Sequence, residues 1–352
     1  MHGRLWQEQR GQVLIIVAIA LTALLAFVAL AIDVGNMYQV RRQMQNAADA
    51  GALAGARELC FGDPGQAEAR AIEYARYNGA ETVQVDFTNG GWTVDVTAGQ
   101  NADMYIAPII GVSNVDIAAE AAAACGDATS ACGLWPVAVA KNDWDAFYAG
   151  DGCGKPFLIW SGTQEKDMPD CSIWDCNTEY GRMLDGQSRA WLDFTTVLDP
   201  EWPYPDTHCG KLGSGCGTDE LKDCILSDTE ARLVIPSCIP GDSGVKAGTQ
   251  NAVEARIGDA VKVPLFTRRC SQSNCKEGYY AEALGCFQVM GWIQKVTMLP
   301  LPTAPPGTPK KWEDKAIQAR MLCNDPRCVS ECGTTSGSPP PPWGVRSVNL
   351  VK

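Results

Sequence analysis

The feature that most constrains the fold is an uninterrupted apolar run, Val13 to Ile32, in which Thr22 is the only polar residue. In a helix with a rise of ~1.5 Å per residue it spans roughly 30 Å, the thickness of the hydrocarbon core of a bilayer. A core helix would show polar residues at a period of about 3.6, and this run shows none. Asp33 ends the run. It therefore predicts one transmembrane helix over residues 13–32, with the lipid bilayer as its partner.

Two other interpretations of the N-terminus stay open. A cleaved secretory signal would have a basic start, a shorter apolar centre and a small-residue exit. Arg4, Arg10 and the segment 29–31 (Ala-Leu-Ala) fit the start and the exit, but the run is too long for the centre. Processing after Gly11, as in prepilin-type leaders, would leave Ile16 at the fifth position, where a pilin normally carries Glu.

The apolar helix is predicted to continue through residues 33–60. No proline interrupts this segment, and it is rich in good helix formers. One stripe follows spacings of three, four or seven: Val34, Met37, Met44, Ala48, Ala52, Ala56 and Leu59. Beside it, Ala47, Gly51 and Gly55 would let another backbone approach closely. The favoured partner of this face is the chain's own domain, and neighbouring copies, as in helical filaments, are the alternative.

A small α+β domain is predicted over residues 61–125. Its elements are a turn at 62–65, a helix from Gln66 to Asn78, a hairpin of Thr82–Phe87 and Trp92–Thr97 around Asn89-Gly90-Gly91, a short helix from Ala102 to Ile110 broken by Pro108, and a strand from Val115 to Ala124.

A Cys- and Trp-rich, mostly β domain is predicted over residues 132–299. Its strand candidates are Phe157–Trp160, Ala190–Phe194, Ala260–Phe266 and Cys286–Met298. Residues 300–352 form a Pro-rich C-terminal segment with a cysteine cluster and a short last strand. The fold class is thus α+β: a long N-terminal transmembrane helix, a small α+β unit and a disulfide-rich, mostly β region.

The sixteen cysteines all follow the apolar run. No Cys-x-x-Cys occurs, and His2 and His208 are the only histidines, so zinc and thioredoxin-like patterns are lacking. Disulfide-closed loops are favoured at the close pairs Cys125/Cys132, Cys171/Cys176, Cys270/Cys275 and Cys323/Cys328, the last followed by Cys332. Disulfides place the body in an oxidising compartment. The expected topology is a single pass through a bacterial cell membrane, with residues 1–12 cytoplasmic and the body extracytoplasmic.

The net charge of −12 argues against two classes of partner. Nucleic acid needs a basic surface for its phosphates, and an anionic lipid surface also needs basic residues. No nucleic-acid partner is expected.

An enzyme is not expected, and no catalytic, cofactor-binding or metal site is assigned. His208 and Ser243 resemble the histidine and nucleophile segments of chymotrypsin-like proteases, but only about 34 residues lie between them, too few for that fold. Residues 241–244 (Gly-Asp-Ser-Gly) are better explained as a turn. The acid pair Asp143/Asp145 could serve a glycosidase, but a solvated loop is the simpler interpretation.

Tryptophans in the second region have two possible roles. They could form a sugar-binding face, or they could pack against disulfides and fill a small core, which is the more usual role in such domains. The residues concerned are Trp135, Trp144, Trp160, Trp174, Trp191 and Trp202.

The N-terminal segment resembles the Tad/Flp pilus-assembly TadE/G-like proteins. The matching features are Arg10-Gly11-Gln12, Asp33-Val34-Gly35, Tyr38, Arg41-Arg42 and the run from Gln45 to Ala56 (QNAADAGALAGA). Looser similarity continues at 75–79, 118–124, 135–138 and 258–266, so that about a third of the chain is covered and only 10–60 specifically. Some TadG-like members carry a von Willebrand A domain with an Asp-x-Ser-x-Ser metal site, a motif that this sequence lacks.

The resemblance implies a membrane-anchored extracytoplasmic component of a Tad/Flp-type pilus-assembly or secretion system, with a structural or assembly role in the cell envelope. Its expected partners are other pilus-assembly proteins, or copies of itself, through the 33–60 helix. The alternative is a surface adhesin, or a carbohydrate- or protein-binding module, tethered by the N-terminal helix.

Overall fold

The chain divides into two compact units in the computed structural model. The first comprises Met1–Glu58, Asp63–Ala123 and Leu350–Lys352, and the second comprises Leu59–Gly62 and Ala124–Asn349. The predicted α+β class, with a long N-terminal helix followed by a mainly β part, is confirmed. The structure describes residues 10–160, 170–184, 191, 192, 194, 218–227, 232–241, 248–270, 278–330, 332–336 and 338–351.

One continuous helix, α1 (Arg10–Phe61), contains 52 residues. The predicted continuation of the apolar run into a helical extension over residues 33–60 is confirmed, and the helix ends one residue later, at Phe61. Every side chain from Val13 to Ile32 is exposed except that of Ala29, which is partly buried. Because apolar side chains avoid water, this exposed segment requires an apolar environment outside the described chain.

Beyond the apolar run, α1 buries one face. Met44, Ala48, Ala52 and Ala56 are fully buried, as the predicted stripe requires. Val34 is exposed, so its assignment to the stripe is wrong. The apolar contacts of α1 with the sheet of the first unit begin later, where Met37 and Val40 pack against Met104 and Ile117.

The small residues of α1 let it approach its own domain. A Cβ atom added to Gly51 would lie 2.8 Å from the Ala71 carbonyl oxygen and 3.3 Å from Val96 Cγ1. A Cβ atom added to Gly55 would lie 3.0 Å from Val94 Cγ1. The chain itself therefore occupies the small-residue face, as the favoured interpretation states.

The partners of α1 in the first unit are a helix and a sheet. The helix is α2 (Ala67–Tyr77), and the strands are β1 (Thr82–Thr88), β2 (Thr93–Asp103) and β3 (Asn114–Asp127), which pair in this order. Strand β14 (Arg346–Leu350) follows β3 in the sheet order, and of its residues only Leu350 belongs to the first unit. Strands β1 and β2 form the predicted hairpin, with Thr88 opposite Thr93. Its turn uses left-handed backbone at Asn89, Gly90 and Gly91 (φ 51°, 68° and 90°), which favours Asn and Gly.

The predicted helix from Ala102 to Ile110 is wrong. Strand β2 extends to Asp103, and only Ala107–Ile110 forms a short 3₁₀ turn, which contains Pro108 and ends at left-handed Gly111 (φ 92°). Proline lacks an N–H group and tolerates only the first turn of a helix, so a longer helix cannot be built through it.

The second unit is built on a large mixed sheet with the order β5–β11–β12–β13–β6–β8–β7, and β10 also pairs with β12. Its strands are β5 (Val139–Ala140), β6 (Pro156–Trp160), β7 (Asn177–Thr178), β8 (Gly181–Met183), β10 (Ser237–Pro240), β11 (Ala260–Cys270), β12 (Gly278–Met298) and β13 (Trp312–Met321). A separate pair joins β4 (Ser130–Ala131) and β9 (Leu233–Val234). The helices are α3 (Lys141–Ala149), α4 (Thr218–Ser227) and α5 (Thr249–Glu254).

Three of the four predicted strands of this region fall within β6, β11 and β12. The fourth, Ala190–Phe194, lies partly outside the described residues. Within it, Trp191 bridges Val137 and Leu192 bridges Gly241.

Disulfides cross the second unit over long sequence distances. The described pairs are Cys60–Cys125, Cys132–Cys332, Cys153–Cys323, Cys171–Cys176, Cys238–Cys270 and Cys286–Cys328, and Cys224 is also bonded. Of the close pairs in the sequence, only Cys171/Cys176 forms as a local loop within the described residues. The expectation of local loops fails elsewhere because the fold brings together cysteines that are far apart in the sequence, by 32 to 200 residues.

Gly51→Ala should lower the free energy of unfolding of the full-length protein in detergent. Overpacking costs about 1–3 kcal/mol, which exceeds the gain of about 1 kcal/mol from replacing glycine in a helix. The matched control is Gly35→Ala in the same helix, because nothing lies within 4 Å of the added Cβ atom there. Denaturant unfolding followed by circular dichroism should show a lower free energy of unfolding for Gly51→Ala than for the wild-type protein, and no decrease for Gly35→Ala. Equal effects at both positions would contradict the close approach described here.

Candidate functional site at the exit of the apolar helix

A buried carboxylate marks the point where α1 changes from exposed to packed. The Asp33 side chain accepts hydrogen bonds from the backbone N–H groups of Tyr105 (2.8 Å), Ile106 (3.2 Å) and Ala107 (2.7 Å). Three consecutive N–H groups that converge on one anion form a concave anion-binding backbone arrangement. Asp33 therefore fastens the connection between β2 and β3 to the first turn after the apolar run.

The charge of Asp33 is favoured by these donors. Desolvation by burial raises the pKa of the Asp33 carboxyl group, and the three backbone hydrogen bonds together outweigh it, so that the pKa lies below its ordinary value of 3.8. The carboxylate is consequently ionised at neutral pH and serves as a permanent acceptor.

Further polar side chains of α1 bind backbone groups of the sheet in the first unit. Asn36 Nδ2 donates to the Asp103 carbonyl oxygen (2.9 Å), and Arg41 Nη1 donates to that of Ala118 (3.3 Å). Gln45 Nε2 donates to the carbonyl oxygen of Glu120 (3.2 Å). Together with Asp33, these side chains satisfy backbone donors and acceptors at the ends and edges of β2 and β3. They hold the helix in one register on the sheet.

The opposite face of the helical extension is open. Its exposed residues lie mostly four positions apart: Val34, Tyr38, Arg42, Asn46, Leu53 and Arg57. Because residues at this spacing share one face of a helix, they form a mixed apolar and basic strip, which we call the outward face of α1.

The tryptophans of the second unit lie in its core. Trp135, Trp144 and Trp191 are fully buried, and Trp160 and Trp174 are nearly so, whereas Trp202 lies outside the described residues. Trp135 packs edge-on against Phe287, at a centroid distance of 5.8 Å, and its Nε1 donates to the Ile225 carbonyl oxygen. Five of the six candidates for a sugar-binding face are thus core residues.

The residues considered for catalysis are not brought together within the described chain. Asp145 pairs with Lys141 at 2.6 Å, one turn away on α3, and Asp143 lies in the first turn of that helix. His208 and Ser243 lie outside the described residues. Among the residues that the structure describes, no three His, Cys, Asp or Glu side chains form a group suited to a metal ion.

The apolar part of α1 is long and apolar enough to cross a membrane, which is consistent with a single-pass anchored protein. Residues 11–58 match the protein family described as "Putative Flp pilus-assembly TadE/G-like". The N-terminal segment is thus TadE/G-like, and the suspected resemblance over residues 10–60 is confirmed. No curated protein and no solved structure matches the chain significantly.

The matched segment contains the α1 residues whose side chains hydrogen-bond the backbone of the sheet, namely Asp33, Asn36, Arg41 and Gln45. Asp33, Arg41 and Gln45 belong to the motifs that carry the resemblance, and the structure gives each a backbone partner. The sequence interpretation missed those partners and also the connection that Asp33 binds. The available signal was the uncharged stretch Tyr105–Val112, in which apolar residues surround Pro108 and Gly111.

Asp33→Asn should loosen the connection between β2 and β3. Loss of the charge weakens three hydrogen bonds, so amide hydrogen exchange over residues 104–112 should become several-fold faster at neutral pH. Because the folded-state pKa is lowered, the wild-type protein should keep its protection above pH about 4 and lose it as the pH falls further. The matched control is Asp103→Asn, whose exposed side chain lies at the end of β2. Unchanged exchange in Asp33→Asn would contradict the fastening role.

Proposed function

We propose that this protein is a membrane-anchored, extracytoplasmic component of a Tad/Flp-type pilus-assembly or secretion system, with a structural or assembly role. The observation that carries the proposal is the coincidence of two properties in one helix. Residues 11–58 match the pilus-assembly family, and the same helix exposes a membrane-length apolar segment. Both properties fit a membrane-anchored pilus component.

The proposed orientation places the N-terminus in the cytoplasm and both units outside it. The six described disulfides support this orientation, because disulfides persist in oxidising compartments and are rare in the cytosol. Native disulfides typically contribute about 2–4 kcal/mol each, which suits a body outside the cell's protective environment.

The proposed role is not enzymatic, and the outward face of α1 is the proposed contact with other pilus-assembly proteins. This strip is exposed, whereas the opposite face is already buried against the chain's own domain. It carries Tyr38 and Arg42, residue types that are enriched at protein interfaces. Because the five described candidate tryptophans lie in the core, a sugar-binding adhesin is not favoured.

N-terminal sequencing of the protein from membranes and from sheared surface material tests the anchor. We expect Met1 intact and the protein confined to the membrane fraction, because the apolar helix remains in the bilayer. A start at Gln12 in sheared material would instead indicate a pilin-like subunit. A start at Ile32 would contradict the anchored protein altogether.

Tyr38→Ala should reduce surface pili at unchanged protein abundance, measured in sheared fractions of a deletion strain that expresses the variant. The change removes an exposed aromatic side chain from the outward face of α1 and leaves the buried face intact. Tyr74→Ala is the matched control, since Tyr74 is also exposed in the first unit but lies on α2. Equal piliation in both variants would contradict the proposed contact face.

A further inference from the structure

The connection between β2 and β3 lies at the membrane end of the first unit. We call residues 104–113 the β2–β3 turn. Its residues Tyr105, Ile106 and Ala107 are bound to Asp33, the first residue after the apolar run. One helical turn before Asp33, Ala29 is the single partly buried side chain of Val13–Ile32, so the described chain shields α1 slightly into the apolar run.

The direction of β2 places this turn at the extreme end of the unit. Asn36 contacts Asp103 at the end of β2, whereas Gly51 and Gly55, farther along α1, lie beside Val96 and Val94 near its start. Strand β2 therefore runs antiparallel to α1 and leads the chain back towards the apolar run, where the β2–β3 turn follows.

The side chains of the β2–β3 turn are apolar and exposed. Ile109 and Ile110 are 84% and 81% exposed, Tyr105 is 68% exposed, and Val112 is also exposed. No charged residue occurs between Met104 and Ser113. Isolated exposed apolar residues are ordinary, but a cluster of this kind indicates a protein or membrane contact.

Most backbone N–H groups of the turn have partners within the first unit. The N–H groups of Tyr105, Ile106 and Ala107 donate to Asp33. Within the turn, backbone N–H groups donate to backbone carbonyl oxygens from Met104 to Ser113 (2.9 Å), from Ile109 to Ile106 (3.1 Å) and from Val112 to Ala107 (3.2 Å). Internal satisfaction of backbone polar groups is what a low-dielectric environment demands.

We propose that the β2–β3 turn is a second membrane contact, which inserts Ile109 and Ile110 into the interface of the bilayer that α1 spans, beside the exit of the helix. The proposal rests on the membrane anchoring proposed above. Lipid is the favoured occupant because the turn is bound to Asp33, the residue that directly follows the exposed apolar run, and therefore lies beside the apolar surface of that run. Tyr105 suits the headgroup level, where tyrosine is enriched.

Photocrosslinking of the full-length protein in phosphatidylcholine vesicles tests this contact. A diazirine amino acid is introduced in place of Ile110, or separately of Ile109, and lipid adducts are quantified by mass spectrometry. The positive control is the same probe in place of Val28, in the exposed apolar run. The negative control is the probe in place of Tyr77, which is 90% exposed. The backbone carbonyl oxygen of Asn78, the residue after Tyr77, accepts a hydrogen bond from Gln43 of α1. Gln43 is ten residues beyond Asp33, so position 77 lies ~15 Å farther from the apolar run along α1.

The expected result is lipid adducts at positions 109, 110 and 28, several-fold above those at position 77. Adducts at position 28 without adducts at 109 and 110 would overturn the second contact and leave the anchor standing. Protein adducts in place of lipid at 109 and 110 would likewise overturn it, in favour of a partner chain. Absence of adducts at position 28 would overturn the anchor, and the second contact with it. Equal labelling at 110 and 77 would show that the turn has no particular access to lipid.

Discussion

The structure depends on how one helix passes without a break from an exposed apolar segment to a segment packed on the folded protein. The change occurs within about one turn, at Asp33, where a buried carboxylate accepts three consecutive backbone N–H groups. An ionised group at this point ends the apolar run and simultaneously satisfies donors that would otherwise be unpaired. The same residue therefore terminates the apolar segment and fixes the first part of the folded domain to it.

The remainder of α1 is joined to both units. Gly51 and Gly55 permit backbone-level contact with α2 and β2 of the first unit, and this contact leaves no room for a Cβ atom at Gly51. The last residues of α1 belong to the second unit, where Cys60 is bonded to Cys125 and its carbonyl oxygen accepts from the Arg346 guanidinium. A cation that binds a carbonyl at a helix C-terminus satisfies an acceptor that the helix leaves free. One helix thus connects the apolar run to two folded units through packing, hydrogen bonds and a covalent bond.

Local periodicity was sufficient to predict α1, the β1–β2 hairpin and three strands of the second unit, because each has its own spacing or turn chemistry. Periodicity failed at residues 102–110. There the alternation of apolar and polar residues that extends β2 is obscured by alanines, which favour a helix, and by Pro108, which interrupts one. Periodicity also failed for Val34, which has the spacing of a buried residue but precedes the point at which α1 meets the sheet. Disulfide partners such as Cys132 and Cys332, 200 residues apart, depend on the tertiary fold, which no local pattern records. The Asp33 site was missed for a similar reason: its donors lie about 72 residues farther along the chain.

The extent of the family match separates α1 from the rest of the chain. It stops at Glu58, and it contains the apolar run, the polar side chains of α1 that hydrogen-bond the sheet and the glycines that allow the close approach. A short matched segment can therefore specify how a domain is attached to a helix, while the disulfide-bonded second unit, which follows the match, has a different physical basis in its buried aromatic core. The arrangement around Asp33 explains why this attachment needs only one helix. The carboxylate and the small residues lie at successive positions along the buried side of α1, and the outward face lies on its opposite side.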